Sequence, residues 1–195
     1  MGLVRVQGPQ EPVCDTDYVK LFIHVDTAAD DERIRSLSAA AEARLDGADG
    51  LLGRALMRQT WLLSLPDWPP SGYCLPLPPL IDVTGITYLD TNGDEQTLAT
   101  SYYRTVNRGS RPSELVYAFG VTLPTVQSEQ PDAVRITFDA GYLDLDSPTN
   151  NPVPEPIRQA IVMTVQSWYD FPGREDVPEV VASLISPFKV NRLGR

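Results

Sequence analysis

The hydrophobic pattern of this chain changes its period twice, and the two changes restrict the folds that it can form. Apolar residues recur at helical spacing up to about residue 54, and they do so again from Pro156. Between Ala55 and Tyr142, β-branched and aromatic residues dominate, punctuated by Pro, Gly and Asn. Separate runs of helices and strands are typical of α+β proteins. We therefore predict an α+β fold in which N- and C-terminal helices form a helical bundle and a β-rich insertion lobe lies between them.

The same changes divide the chain into five predicted segments. These are a flexible N-terminal arm over residues 1–13, N-terminal helices over 14–54, a β-rich insertion lobe over 55–152, C-terminal helices over 153–186 and a C-terminal docking tail over 187–195. Within the helical segments, capping residues and apolar spacing predict helices near 16–24, 30–46, 156–170 and 177–186.

Six strands are expected in the β-rich segment. They are predicted near 55–65, 81–90, 95–98, 102–106, 114–118 and 133–140. Thr91-Asn92-Gly93 separates two of them and predicts a tight hairpin, because an Asn-Gly pair tolerates the positive φ that such turns require.

The predicted helix near 156–170 has apolar residues around most of its circumference, whereas a helix on the side of a small domain has one apolar stripe. Its apolar positions include Ile157, Ile161, Val162, Val165, Trp168 and Tyr169. Such a helix either lies in the middle of its domain or is covered by a second surface. We predict that it is buried from two sides, by its own bundle and by a neighbouring subunit.

Charge and hydropathy narrow the class of protein. The net charge of −10 argues against a protein that grips DNA, because affinity for a duplex comes mainly from Lys and Arg. An acidic surface is instead suited to a protein that DNA slides past without binding. The N-terminus lacks the apolar run of a signal peptide, and no stretch is apolar enough to span a membrane. We expect a soluble protein that is made in a cytoplasm and does not enter a membrane.

Motifs for catalysis or cofactor binding are absent from the sequence. The single histidine, His24, has no G-x-S-x-G elbow to accompany it, and there is no phosphate-binding loop and no G-x-G-x-x-G turn. The DTNGDE stretch places its glycine at the wrong position for a calcium loop. Cys14 and Cys74 match no metal spacing, and we expect two free thiols. No enzyme activity, cofactor or metal is expected.

One alternative remains open at this point, namely a protein that binds or cleaves carbohydrate. Asp139 and Asp144 could form a pair of carboxylates of the glycosidase type. Trp61, Trp68, Tyr73 and Tyr88 could form a sugar-binding platform, although aromatic residues in strands more often belong to a core or an interface.

Four groups of residues occur in a specific order over most of the chain. They are Gly53-Arg54-Ala55-Leu56 with Gln59-Thr60-Trp61, Leu77-Pro78-Pro79-Leu80, Phe138-Asp139-Ala140-Gly141-Tyr142, and Val153-Pro154-Glu155-Pro156-Ile157-Arg158-Gln159-Ala160. In this order, from about residue 13 to 190, the chain resembles the head-tail connector proteins, or adaptors, of long-tailed phages. Gene transfer agents, phage-like particles that package host DNA, use similar parts.

The resemblance implies a structural protein at the neck of a virion or phage-like particle, made in a bacterial cytoplasm. It further implies a dodecameric ring that joins the portal protein to a tail-proximal connector or stopper protein. DNA would pass through the central channel without sequence-specific binding. A structural protein of some other assembly would share the composition and remains the second alternative.

The C-terminal tail carries three cations and no acid on an otherwise acidic chain. The resemblance implies that it docks into the portal. The residues expected to do so are Phe188, Lys189, Val190, Arg192, Leu193 and Arg195. An acidic surface or the edge of a sheet on the portal would be a suitable acceptor.

Overall fold

The structure is a computed structural model that describes residues 1–109, 111–142, 152–174 and 176–190. The chain forms two compact units that alternate along the sequence. The sheet unit consists of Met1–Pro9 and Arg58–Leu143, and the helical unit consists of Gln10–Met57 and Asp144–Arg195.

The strands of the sheet unit form two antiparallel sheets within the described residues. In chain order they are β1 (Gly2–Gln7), β2 (Gln59–Leu65), β3 (Tyr73–Cys74), β4 (Leu80–Leu89), β5 (Glu95–Thr97), β6 (Tyr103–Val106), β7 (Glu114–Tyr117) and β8 (Val134–Ala140). The larger sheet has the order β1-β2-β8-β4-β5, and the smaller one has the order β3-β7-β6. The six predicted strands are therefore confirmed, and β1 and β3 are additional.

Burial alternates from residue to residue along β2, which explains why these residues form a half-buried strand. Trp61, Leu63 and Leu65 are buried, while the residues between them are half-exposed. Period-two burial of this kind places one face of a strand on a core. β8 lies at the centre of the sheet between β2 and β4, and its Ile136 and Phe138 are fully buried. The core of the sheet unit therefore lies on the inner face of this sheet.

The predicted hairpin joins β4 to β5. Gly93 has φ of 87°, as the turn requires, and the Asp90 carboxylate accepts hydrogen bonds from the backbone N–H groups of Asn92 and Asp94. The bond from the Asn92 N–H is the main reason why the pKa of Asp90 is lowered. These contacts occupy the Asp90 carboxylate in the turn.

The helical unit contains α1 (Thr16–Ile23), α2 (Asp31–Leu45), α3 (Glu155–Asp170) and α4 (Glu179–Ile185). Asp15 caps α1, since its carboxylate accepts the Tyr18 N–H at 2.7 Å. α3 packs against α1, α2 and α4. The four predicted helices are confirmed, with small differences at their ends. In the described part of the chain, no helix is both long enough and apolar enough to cross a membrane.

The predicted arrangement of these elements is wrong. The chain begins with β1 rather than with a flexible arm and a helix, and β1 pairs with β2 in the larger sheet. Helices α1 and α2 follow β1, and the sheet unit takes strands from both sides of them, so the β-rich part is not a lobe inserted between terminal helices. The pattern of the sequence indicated which segments are strands, but it did not indicate that β1 pairs with a segment more than fifty positions later.

Candidate functional site

Helix α3 is the first of the two predicted sites, and its middle is covered within a single chain. Four of the predicted positions are buried, with exposed fractions of 0% for Ile157, 0% for Ile161, 2% for Val162 and 0% for Val165. Packing against three other helices explains an apolar surface on more than one side of α3. The helix thus lies in the middle of its unit. Contact of α3 with a neighbouring subunit stays a prediction.

The last turn of α3 is only half-buried and is held by polar contacts. The Trp168 Nε1–H donates to the backbone carbonyl of Asp176 at 3.2 Å, and the Tyr169 hydroxyl donates to Asp30 at 2.9 Å. That bond to Asp30 is the main reason why the pKa of Tyr169 is raised. The Arg33 guanidinium lies 4.4 Å from the centre of the Tyr169 ring.

A shallow groove of about 370 Å³ is located beside these residues. It is lined by Arg33, Leu37, Trp168, Pro172, Gly173 and Arg174. Trp168 and Tyr169 therefore belong to a half-exposed surface, unlike the four buried positions in the middle of the helix.

The tail is the second predicted site, and its first residues lie against their own helical unit. After α4, a short 3-10 turn covers Ser186–Phe188. The Arg54 side chain then donates to the Phe188 carbonyl at 2.7 Å, and the Val190 N–H donates to the Leu52 carbonyl at 2.9 Å. We call these contacts of residues 188–190 with residues 52–54 the tail anchor. Lys189 is exposed, while Arg192, Leu193 and Arg195 lie outside the described residues.

The backbone geometry at residues 52–54 explains how this loop reaches the tail. Gly53 has φ of 64°, a conformation that glycine adopts without the strain that a side chain would bring. A Cβ atom at Gly53 would lie 3.4 Å from the Val190 carbonyl oxygen. Arg54 is buried, with only 4% of its surface exposed. Both residues belong to a motif that carried the family resemblance, but no property of the sequence predicted contact with a segment 134 positions later.

Asp139 is one carboxylate of the glycosidase-type pair that the carbohydrate alternative requires. It is 5% exposed, and its two oxygens accept hydrogen bonds from the Arg58 guanidinium at 2.7 Å and the Thr60 hydroxyl at 2.7 Å. These partners join the end of β8 to the start of β2 and its preceding residue. Asp144, the proposed second carboxylate, lies outside the described residues. Within the described part of the chain, Asp139 is a structural ion pair.

The aromatic residues considered as a sugar platform do not share one surface role. Trp61 is 5% exposed and belongs to the core of the sheet unit. Trp68 packs on Tyr88 with ring centres 5.3 Å apart and on Tyr117 at 6.4 Å. Its Nε1–H donates to the Pro124 carbonyl. Trp68 is thus in tilted contact with Tyr88 and in edge contact with Tyr117.

Both cysteines are free thiols, as predicted. Cys14 is buried beside Glu42, whose carboxylate accepts the Cys14 N–H at 3.0 Å, and burial raises the pKa of the Cys14 thiol to about 12. Cys74 is exposed. Among the described residues, no group of three or more His, Cys, Asp and Glu side chains could hold a metal ion.

The fold and these sites define an α+β protein that has one helical unit and one unit of antiparallel sheets. No protein-family model and no curated protein sequence matches the chain. Solved structures of gene transfer agent particles do match it. A chain from the neck of an empty particle, determined with C6 symmetry, is 22% identical with a TM-score of 0.75, over 99% of this chain and 97% of that one.

Two further structures of such particles agree with this likeness. A chain from the virion of a native gene transfer agent is 23% identical, with a TM-score of 0.75 and the same coverage of 99% and 97%. A chain from the neck of a native particle, determined with C12 symmetry, is 25% identical, with a TM-score of 0.64 and again coverage of 99% and 97%. The likeness of fold extends over nearly the whole chain. It confirms the resemblance to connector proteins of phage-like particles that the sequence motifs indicated.

Proposed function

We propose that this chain is a structural protein in the neck of a phage-like particle, without enzymatic activity. The observation that carries the proposal is the likeness of fold, over nearly the whole length of both chains, to proteins in the necks of gene transfer agent particles. The order of motifs along the sequence supports the same role independently of the fold. In this proposal the protein is made in a bacterial cytoplasm and works at the junction of head and tail.

The proposed assembly is a dodecameric ring between the portal protein and a tail-proximal connector or stopper protein. The matched necks were determined with C6 and C12 symmetry, which is the reason for proposing a cyclic arrangement here. A closed ring places two different, complementary faces of each subunit in contact. Twelve subunits of 21.5 kDa would give about 260 kDa.

The experiment for the ring is native mass spectrometry of the purified chain, alone and with purified portal protein. A species of about twelve subunits, alone or on the portal, is expected. A stable complex with a different number of copies of this chain would contradict the dodecamer. The neck role itself is tested with particles. Particles that lack this chain altogether but still join heads to tails would contradict the neck role itself.

We also propose that DNA passes through the ring without being held by it. The net charge of −10 supports this, because a protein needs clustered Lys and Arg to displace the counterions of DNA. Double-stranded DNA should therefore show no binding to the assembled ring in an electrophoretic mobility assay at about 150 mM salt. Retention of DNA at this salt concentration would contradict passage without binding.

The proposed attachment to the portal uses residues 191–195, the part of the tail beyond the tail anchor, while residues 188–190 hold the chain on its own helical unit. Deletion of residues 191–195 is a sharper test than removal of the whole tail, because Phe188 and Val190 bond to the helical unit. The shortened chain should keep its thermal stability and lose binding to portal-bearing heads. A double variant, Arg192→Ala with Arg195→Ala, separates the contribution of charge from that of chain length. Normal joining of heads to tails by the shortened chain would show that the tail is not the attachment.

A further inference from the structure

We infer that Arg54 is a positioning residue for the tail, and that the tail anchor fixes the position of the chain from Phe188 to Val190, immediately before the residues proposed to dock. The inference rests on the proposed docking of the tail into the portal. It assigns a role to a buried side chain that does not itself belong to the tail.

The first argument is the placement of Arg54. A guanidinium is among the groups least often buried, yet Arg54 is 4% exposed. One of its bonds goes to the backbone carbonyl of Phe188 at 2.7 Å, and hydrogen bonds with a charged donor are stronger than neutral ones. The bond is to the backbone, so it fixes the path of the chain at Phe188 whichever side chain is present there.

The second argument is that a separate bond fixes the chain two residues later. The Val190 N–H donates to the Leu52 carbonyl at 2.9 Å, and Leu52 is itself fully buried. Two bonds on either side of Lys189 hold both the position and the direction of the chain. Upstream, the buried side chains of Val181 and Ile185 hold α4 in the helical unit. The chain is therefore held continuously from α4 to Val190.

A short segment that is held at its base pays less conformational entropy on binding than one that swings freely. The anchor would thus increase affinity for the portal without touching it. Loss of the anchor should weaken binding about tenfold, the size expected when several backbone and side-chain torsions must be ordered on binding instead of beforehand.

Two kinds of variant test the anchor at different atoms. Arg54→Met removes the bond to Phe188, and Arg54→Lys keeps the charge but lacks the Nε–H donor. Val190→Pro removes the N–H that bonds to Leu52 and leaves Arg54 intact. Lys189 has φ of −66° and ψ of 132°, which is a conformation allowed before proline. Val190→Ala is the matched control, because it keeps the N–H.

Three measurements are made on the variants as full chains, with hydrogen exchange at position 190 limited to the variants that keep an N–H there. Thermal unfolding by circular dichroism identifies variants that fold. Hydrogen exchange of the Val190 amide reports the anchor directly, and in Arg54→Met it should become at least about tenfold faster, as expected for loss of a charge-assisted hydrogen bond nearby. Binding to portal-bearing heads reports the consequence. Should Arg54→Met fail to fold, Val190→Pro against Val190→Ala still tests the tail anchor, and Arg54→Lys tests the bond from Arg54 to Phe188.

The inference is supported if Val190→Pro and Arg54→Met bind portal-bearing heads about tenfold more weakly while Val190→Ala binds normally. It is overturned if the anchor variants bind normally although the chain lacking residues 191–195 does not. That second result would leave tail docking intact. If the shortened chain itself binds normally, the proposed docking fails, and the positioning role of Arg54 fails with it.

Discussion

Replacement of Ile161 by alanine should destabilise the isolated subunit strongly. Ile161 is fully buried in the middle of α3, which packs against three other helices. The change removes three carbon atoms, and each buried carbon contributes about 0.8 kcal/mol to the free energy of unfolding. The transfer loss is therefore about 2.4 kcal/mol, and the cavity left in a helix packed on several sides adds to it. We expect a total loss of about 3 kcal/mol.

The assay is urea unfolding followed by the helical signal in circular dichroism near 222 nm. For a slope of about 2 kcal/mol per molar urea, this loss lowers the midpoint by about 1.5 M. Gln166→Ala is the matched control, because Gln166 lies on the same helix and is exposed. Its midpoint should stay close to that of the native sequence.

The experiment distinguishes burial of Ile161 within its own chain from burial against a neighbouring subunit. A loss below about 1 kcal/mol in the monomer would refute burial of Ile161 within one chain. A loss that grows with protein concentration would show that a second subunit supplies the cover.

Three further perturbations have definite expected outcomes. Gly50→Ala should lower the melting temperature, because the new Cβ would lie 2.3 Å from a backbone carbonyl at the end of α2, whereas Gly85→Ala meets no atom within 4 Å and serves as control. Burial raises the pKa of Glu42. The protonated carboxyl group therefore contributes to folding stability at low pH, and this contribution is lost as pH rises through the raised pKa. Glu42→Gln should therefore gain stability relative to the native sequence between about pH 4 and pH 7, and an unchanged difference across that range would argue against a buried carboxylate. A thiol reagent should modify Cys74 rapidly and Cys14 only on unfolding, and rapid reaction of both thiols would contradict the burial of Cys14.

The sequence predicted element types well because those depend on local pattern. The helices and six strands follow from apolar spacing and capping, and the β4–β5 hairpin follows from the conformational freedom of Gly93. β1 was missed although Val4 and Val6 favour a strand, because its six residues are followed at once by Gly8 and Pro9. The prediction of how the elements are arranged failed for a related reason, because strands that pair across a long stretch of chain leave no local signal in the sequence.

For the candidate sites too, the sequence predicted what depends on local pattern and did not predict contacts between distant segments. The buried positions of α3 could be predicted, since an apolar helix has to be covered by something. The tail anchor could not, because a buried Arg54 looks like any surface arginine in the sequence and its partner at Phe188 is a backbone carbonyl. Backbone acceptors are the same for every residue type, so they leave no trace in the order of side chains.

The alternation of the two units along the chain has a consequence for biosynthesis. The sheet unit has all its described strands once Ala140 has been made, but α2 receives its partner α3 only when residues 155–170 follow. While the ribosome is still working, α1 and α2 therefore carry an uncovered apolar face through most of translation. Faces of this kind bind chaperones or aggregate before their partners arrive. A product that stops short of α3 would contain a finished sheet unit attached to helices that cannot complete their core.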